Sequence, residues 1–148
     1  MEAQRPPRSN GSPGRVLGLD LGQSRIGVAI SDPARRVAVP FGTIRTGAPE
    51  DVKAIAALVR EHEVTAIVVG HPLSMTGRSG AAADHAEKFA EALRGFLGVP
   101  VHLQDERLST VQAERDLAAQ GLRGRERREV VDQAAATLIL QAYLDTAR

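Results

Sequence analysis

The hydrophobic pattern of this chain changes period after residue 45, and that change restricts the fold more than any other feature of the sequence. Before it, VLGLD (16–20) and IGVAIS (26–31) are short apolar runs. They flank the turn residues LGQSR (21–25), and together they read as a β-hairpin. RVAVPFGTI (36–44) supplies a third strand. Pro40 has no N–H to give to a ladder, so that strand belongs at a sheet edge or bends there.

After the change, Val52, Ile55, Ala56 and Val59 recur at helical spacing, which predicts an amphipathic helix over 50–62. TAIVVG (65–70) reads as a buried strand, followed by a loop marked by Gly70, Pro72, Gly77 and Gly80. Ala86, Phe89, Ala90, Leu93 and Leu97 form a second helical stripe that Gly98 and Pro100 end. VPVHL (99–103) alternates as a strand. Ser109 with Gln112 makes a capping box for a helix to about Ala119, which Gly121 ends, and a last helix runs from about Glu126 to Asp145. A meander followed by β-α-β-α-β crossovers predicts an α/β fold. Its five-stranded mixed sheet has three antiparallel strands and two parallel ones, with helices packed on its faces.

Composition narrows the function classes. The chain has 148 residues, the size of one domain. Residues 1–14, rich in Pro, Gly, Ser and Arg, read as a disordered tail before a single domain over 15–148. The absence of cysteine removes disulfides, thiolate nucleophiles, iron–sulfur clusters and cysteine zinc sites, and it fits a reducing, cytoplasmic setting. No apolar run approaches the ~20 residues of a membrane helix. The net charge is +1, and without the tail's Arg5, Arg8 and Glu2 it is zero. Any nucleic-acid binding must therefore come from local patches.

Three regions far apart in sequence each place an acid where an element begins or ends. Asp20 closes the first apolar run, Asp105 and Glu106 follow the last strand, and Asp132 lies at the start of the last helix. Open α/β sheets carry their sites at the carboxyl ends of parallel strands. Hard divalent cations take carboxylate oxygens, and a pair of them serves phosphodiester hydrolysis. Each acid also has a plainer reading. Asp20 is then a turn residue, Glu106 a solvated loop acid, and Asp132 a partner of the helix dipole. Asp132 is the only charge between Val130 and Leu144, where an unpartnered charge is costly. The residues alone lead as far as a metal site held in common by these acids.

GLDLGQSRIGVAISD, IVVGHPLSMTG, DERLST and VDQAAATLIL resemble the YqgF/RuvX-like family. Its members are bacterial proteins with an RNase H-like fold, named as pre-16S rRNA nucleases or Holliday junction resolvases. The likeness runs from about Arg15 to Tyr143. It implies that Asp20, Glu106 and Asp132 are the catalytic acids, binding Mg²⁺ or Mn²⁺ and directing a water onto a phosphodiester. The implied role is 5′-end processing of precursor 16S rRNA, in partnership with the small ribosomal subunit. One alternative is resolution of branched DNA, which calls for a dimer. Another is a non-catalytic RNA-binding assembly factor. The chain itself reads as a monomer or weak homodimer with no membrane contact. The first hairpin also looks like the phosphate-binding hairpin of actin-like and sugar-kinase ATPases, but the chain is too short for their two domains and has no second phosphate loop.

Arg25 and Arg107 lie in the matching motifs and read as phosphate contacts or as structural residues; Ser109 and Thr110 read as helix caps. Arg123, Arg125, Arg127 and Arg128 in LRGRERRE (122–129) could track a phosphate backbone with Arg5 and Arg8, or form a solvated loop. Val130 stands where some members have a Lys. His71, Ser74 and Thr76 stand where many have Leu, Asn and Asp. His71 reads as a tolerated loop substitution or a proton shuttle, and His62, His85 and His102 as surface or edge residues. Of the four aromatic residues, Phe41, Phe89, Phe96 and Tyr143, three are expected in packing positions. Recognition is then expected to use backbone and shape rather than base stacking.

Overall fold

The computed structural model describes residues 13–73, 80–106 and 125–147. The expected helix from Ser109 with its capping box, residues Ser74, Thr76, Gly77, Arg107 and Arg123, and tail residues 1–12 lie outside that set.

The described elements are β1 (Arg15–Leu21), β2 (Arg25–Ser31), β3 (Ala38–Arg45), α1 (Glu50–Glu61), β4 (Val64–His71), α2 (Ala81–Phe96), β5 (Val101–Asp105) and α3 (Arg125–Thr146). They form one five-stranded sheet in the order β3-β2-β1-β4-β5. The meander β1–β2–β3 is antiparallel, and β4 and β5 join it in parallel. This is the architecture expected from the change of period. β3 starts at Ala38 rather than Arg36 because the preceding turn claims two backbone donors. The N–H groups of Arg36 and Val37 donate to Asp32 Oδ1 at 2.8 and 2.9 Å. Those donations, Val37's above all, hold the Asp32 carboxyl below the ordinary aspartate value of 3.8. At the chain's entry, Gly14 N–H donates to Pro33 O, and Arg35 reaches back to Gly14 O and to Thr65 Oγ1.

Side chains alternate between two cores. Leu17, Leu19, Ile26, Val28, Ile67 and Val69 point to one face and pack against Ile55 and Val59 of α1 and Phe89 and Leu93 of α2. Val16, Ala29, Ala66 and Val68 point to the other face and pack under Ala135, Ala136, Ile139, Leu140 and Leu144 of α3. By the same alternation Gly18 and Asp20 share the α3 face with Val16.

Glycine brings α3 down onto the sheet. A methyl at Gly27 would collide with the backbone carbonyl of Asp132. One at Gly18 would lie 2.7 Å from Leu140 Cβ, and one at Gly70 would lie 2.6 Å from Ile139 Cδ1. Strands β2, β1 and β4 thus each yield a side chain's width where the helix crosses.

Pro40 marks both features expected of it. β3 is an edge strand, and its register shifts against β2 between Val28 and Ala29, leaving Phe41 as the extra residue. A bulge of this kind re-aims the residues after it. Phe41 is 42% exposed, and its ring meets that of His62 edge-on at 5.1 Å. Phe96 is 58% exposed at the end of α2. Phe89 packs in the α1/α2 core and Tyr143 against the α3 core, while Phe41 packs at the surface against His62.

Candidate functional site

Asp20 is the next-to-last residue of β1 and faces Gly27 of β2 across the ladder. Glu106 follows directly on β5. They are 7% and 4% exposed, and both line one cavity of about 670 Å³ at the carboxyl ends of the parallel strands. Gly70 at the end of β4 lies between them, and a Cβ there would come within 3.0 Å of Glu106 Oε2. Gly22, Pro72 and Ala86 also line the cavity. The β1–β2 turn at its rim is fixed: Gly22 N–H donates to Arg25 O at 2.9 Å, and Thr46 Oγ1 donates to Gly22 O at 3.0 Å.

Asp132 reaches the same face from the opposite direction. It is the eighth residue of α3, which starts at Arg125, so it sits well inside the helix rather than at its start. Helix-dipole effects fade within the first turn, which removes that reading of Asp132. Its carboxylate instead meets Arg25: Nε lies 2.8 Å from Oδ2, with the two side chains 18% and 24% exposed. The N–H is not aligned for a hydrogen bond, so the contact is one of charge on charge. Arg25 is thus an ion-pair partner of an expected catalytic acid in this state.

The donors are of the right kind for a hard cation, since two buried carboxylates share one cavity and a third lies across the same sheet face. Mg²⁺ uses one or two protein carboxylates and keeps several waters, so Asp20 and Glu106 fit it. Among the described residues no three His, Asp or Glu side chains converge closely enough to hold one ion together.

The other sequence candidates separate. Arg125, Arg127 and Arg128 lie in the first turn of α3, while Arg107 and Arg123 fall outside the described residues. His71 ends β4, and its Nε2 lies 2.7 Å from Glu87 Oε2 of α2, a tie between strand and helix. His102 stacks on Tyr143 with centroids 5.5 Å apart. His85 is exposed, as a surface residue should be, yet it lines the acid cavity from the first turns of α2. Thr46, Gln23 and His85 were not singled out as site residues from the sequence. Their place in the cavity depends on how β3 and α2 fold back on β1, and no local pattern announces it.

Comparison with known proteins bears on the family and the fold. The family described as "RuvX: Holliday junction resolvase" matches residues 14–146. A "Putative pre-16S rRNA nuclease" of Roseiflexus sp. (strain RS-1) is 45% identical over 138 residues, covering 92% of this chain and 97% of that one. A protein of the same name from Anaeromyxobacter sp. (strain Fw109-5) is 52% identical over 132 residues, covering 88% and 96%. Among solved structures, T. thermophilus RuvC in complex with Holliday junction substrate shares the fold. Its TM-score is 0.55 at 18% identity, over 90% of this chain and 96% of that one. With its sheet order, its α3 crossing and a family match over nearly the whole chain, this protein belongs to the RuvX family.

Proposed function

We propose that this chain is a divalent-metal-dependent nuclease that hydrolyses phosphodiester bonds in precursor 16S rRNA. Its work is then 5′-end processing in the cytoplasm, on or near the small ribosomal subunit. Asp20, Glu106 and Asp132 are the proposed ligands of Mg²⁺ or Mn²⁺. The observation that carries the reading is the shared cavity of Asp20 and Glu106, two buried carboxylates at the ends of the first and last strands in the sequence. The names of the relatives supply the substrate.

When bound, such a cation makes a bound water acidic enough to attack and offsets charge on the leaving oxygen. The chain's own part is placement. The β1–β2 ladder fixes the backbone of Asp20, and Glu106 is held close against Gly70. Arg25, beside Asp132, is positioned to meet a phosphate oxygen with its planar fork. Arg107, Arg123, Arg125, Arg127 and Arg128 are the proposed contacts to the flanking backbone.

A second reading, cleavage of four-way DNA junctions, is favoured by the description of the family. Wild type and Asp20→Asn are compared on precursor 16S rRNA and on a four-way junction, with Mg²⁺ or Mn²⁺. The expected outcome is cleavage of the RNA, lost on chelation and reduced at least ~10³-fold by the substitution. Cleavage of the junction alone, by a dimer, establishes the second reading. Binding of both with cleavage of neither makes the protein an assembly factor.

A further inference from the structure

The β2–β3 edge of the sheet carries a second feature. Arg25 of β2 and Arg45 of β3 stand directly opposite each other in the antiparallel ladder. Like charges placed this way destabilise a strand pair, and a β-branched or aromatic residue at either position would serve the edge better. The bulge at Phe41 creates this arrangement. Simple alternation from Ala38 would put Arg45 on the α1 face, whereas the extra residue puts Thr43 and Arg45 on the α3 face with Gly27 and Arg25. There the two arginines line a cavity of about 440 Å³ together with Ser24, Thr43 and Glu129.

This cavity lies on the sheet face that also carries Asp20. Asp20, Gly27 and Thr43 form one row across three strands. The arginine pair forms the next row on the same face, so Arg25 is a diagonal neighbour of Asp20 at roughly 7–8 Å between Cα atoms. Arg45 lies one further strand out, about 4.8 Å away.

Resting on the nuclease reading above, we propose that Arg25 and Arg45, with the hydroxyls of Ser24 and Thr43, form a binding subsite for a backbone phosphate of the nucleic-acid strand, next to the phosphate being cut. Two guanidinium forks and two hydroxyl donors match the oxygens of a phosphodiester. The subsite draws the strand from the acid cavity outward over the edge of β3. Glu129 lines the same cavity, and its negative charge competes there with an incoming phosphate.

The test measures binding of a short labelled single-stranded RNA, and DNA of the same sequence, to the full chain in EDTA at several salt concentrations. Arg45→Gln is expected to weaken both probes about tenfold, to lower the slope of log K against log salt by about 0.7, and to hold or raise the melting temperature, since it removes a like-charge pair from the ladder. Glu129→Gln is expected to tighten both. Unchanged affinity and slope in Arg45→Gln overturn the subsite. So does loss on one probe alone, since a phosphate is common to both. A lower melting temperature in Glu129→Gln with unaltered binding also overturns it, because the arginines then serve Glu129. Failure of the wild type to bind either probe counts against the nuclease reading instead.

Discussion

Arg25 touches Asp132 at 2.8 Å and lines the arginine cavity, so one side chain borders both an acid and the proposed phosphate subsite. A positive charge at that distance opposes a cation arriving at the same carboxylate. Arg25→Gln is therefore expected to bind Mn²⁺ several-fold more tightly in calorimetry while binding single-stranded RNA more weakly. Loss of the half-buried pair costs about 1 kcal/mol of stability. Weaker Mn²⁺ binding in the variant would show that Arg25 organises Asp132 for the metal rather than competing with it. The pairing was not legible in the sequence. Arg25 and Asp132 are far apart in the chain, and each has an ordinary local role available to it. Asp20 was legible as the end of a plain strand run, whereas the run at 99–103 pointed equally to Asp105 and Glu106, and only the family motif ranked Glu106 first. Arg45 was not legible, because its face depends on a single extra residue at Phe41.

At the scale of elements, the seating of α3 decides where Asp132 goes. Gly27 leaves no room for a methyl beneath the Asp132 carbonyl. Gly27→Ala must push the first half of α3 off β2, at about 1–3 kcal/mol for overpacking. The expected consequence is a lower melting temperature together with weaker Mn²⁺ binding, because Asp132 moves with its helix. An alanine at Gly42, where nothing lies within 4 Å of the added carbon, is the control and is expected to change neither. The strands and helices themselves were readable from the period of their apolar residues. The depth at which α3 rests was not, because a glycine in a strand signals a close approach without naming what approaches.

At the scale of the molecule, both cores share one sheet, with α1 and α2 on one face and α3 on the other. No boundary divides them, so heat is expected to unfold the described core in one transition seen alike by probes on either face. Leu17→Ala and Leu140→Ala each remove a fully buried side chain, one from each core. Each is expected to lower that single transition by about 2–5 kcal/mol. Two separate transitions in either variant would mean that α3 docks independently. If the acids hold a cation, saturating Mn²⁺ raises the transition in the wild type and not in Asp20→Asn. Among the described residues no helix is long and apolar enough to cross a membrane.

The order of elements along the chain gives the seating of α3 a meaning in time. Domains form from the N-terminal end as they are made. β1 carries Asp20 at the start, Glu106 arrives after β5, and Asp132 comes on the last helix, closing over Gly27 and Gly18 only when the sheet beneath is complete. An unfinished chain thus holds two of its three acids and lacks the lid that brings the third. Asp132 joins the sheet last, after the strand ends beside Asp20 and Glu106 are already in place.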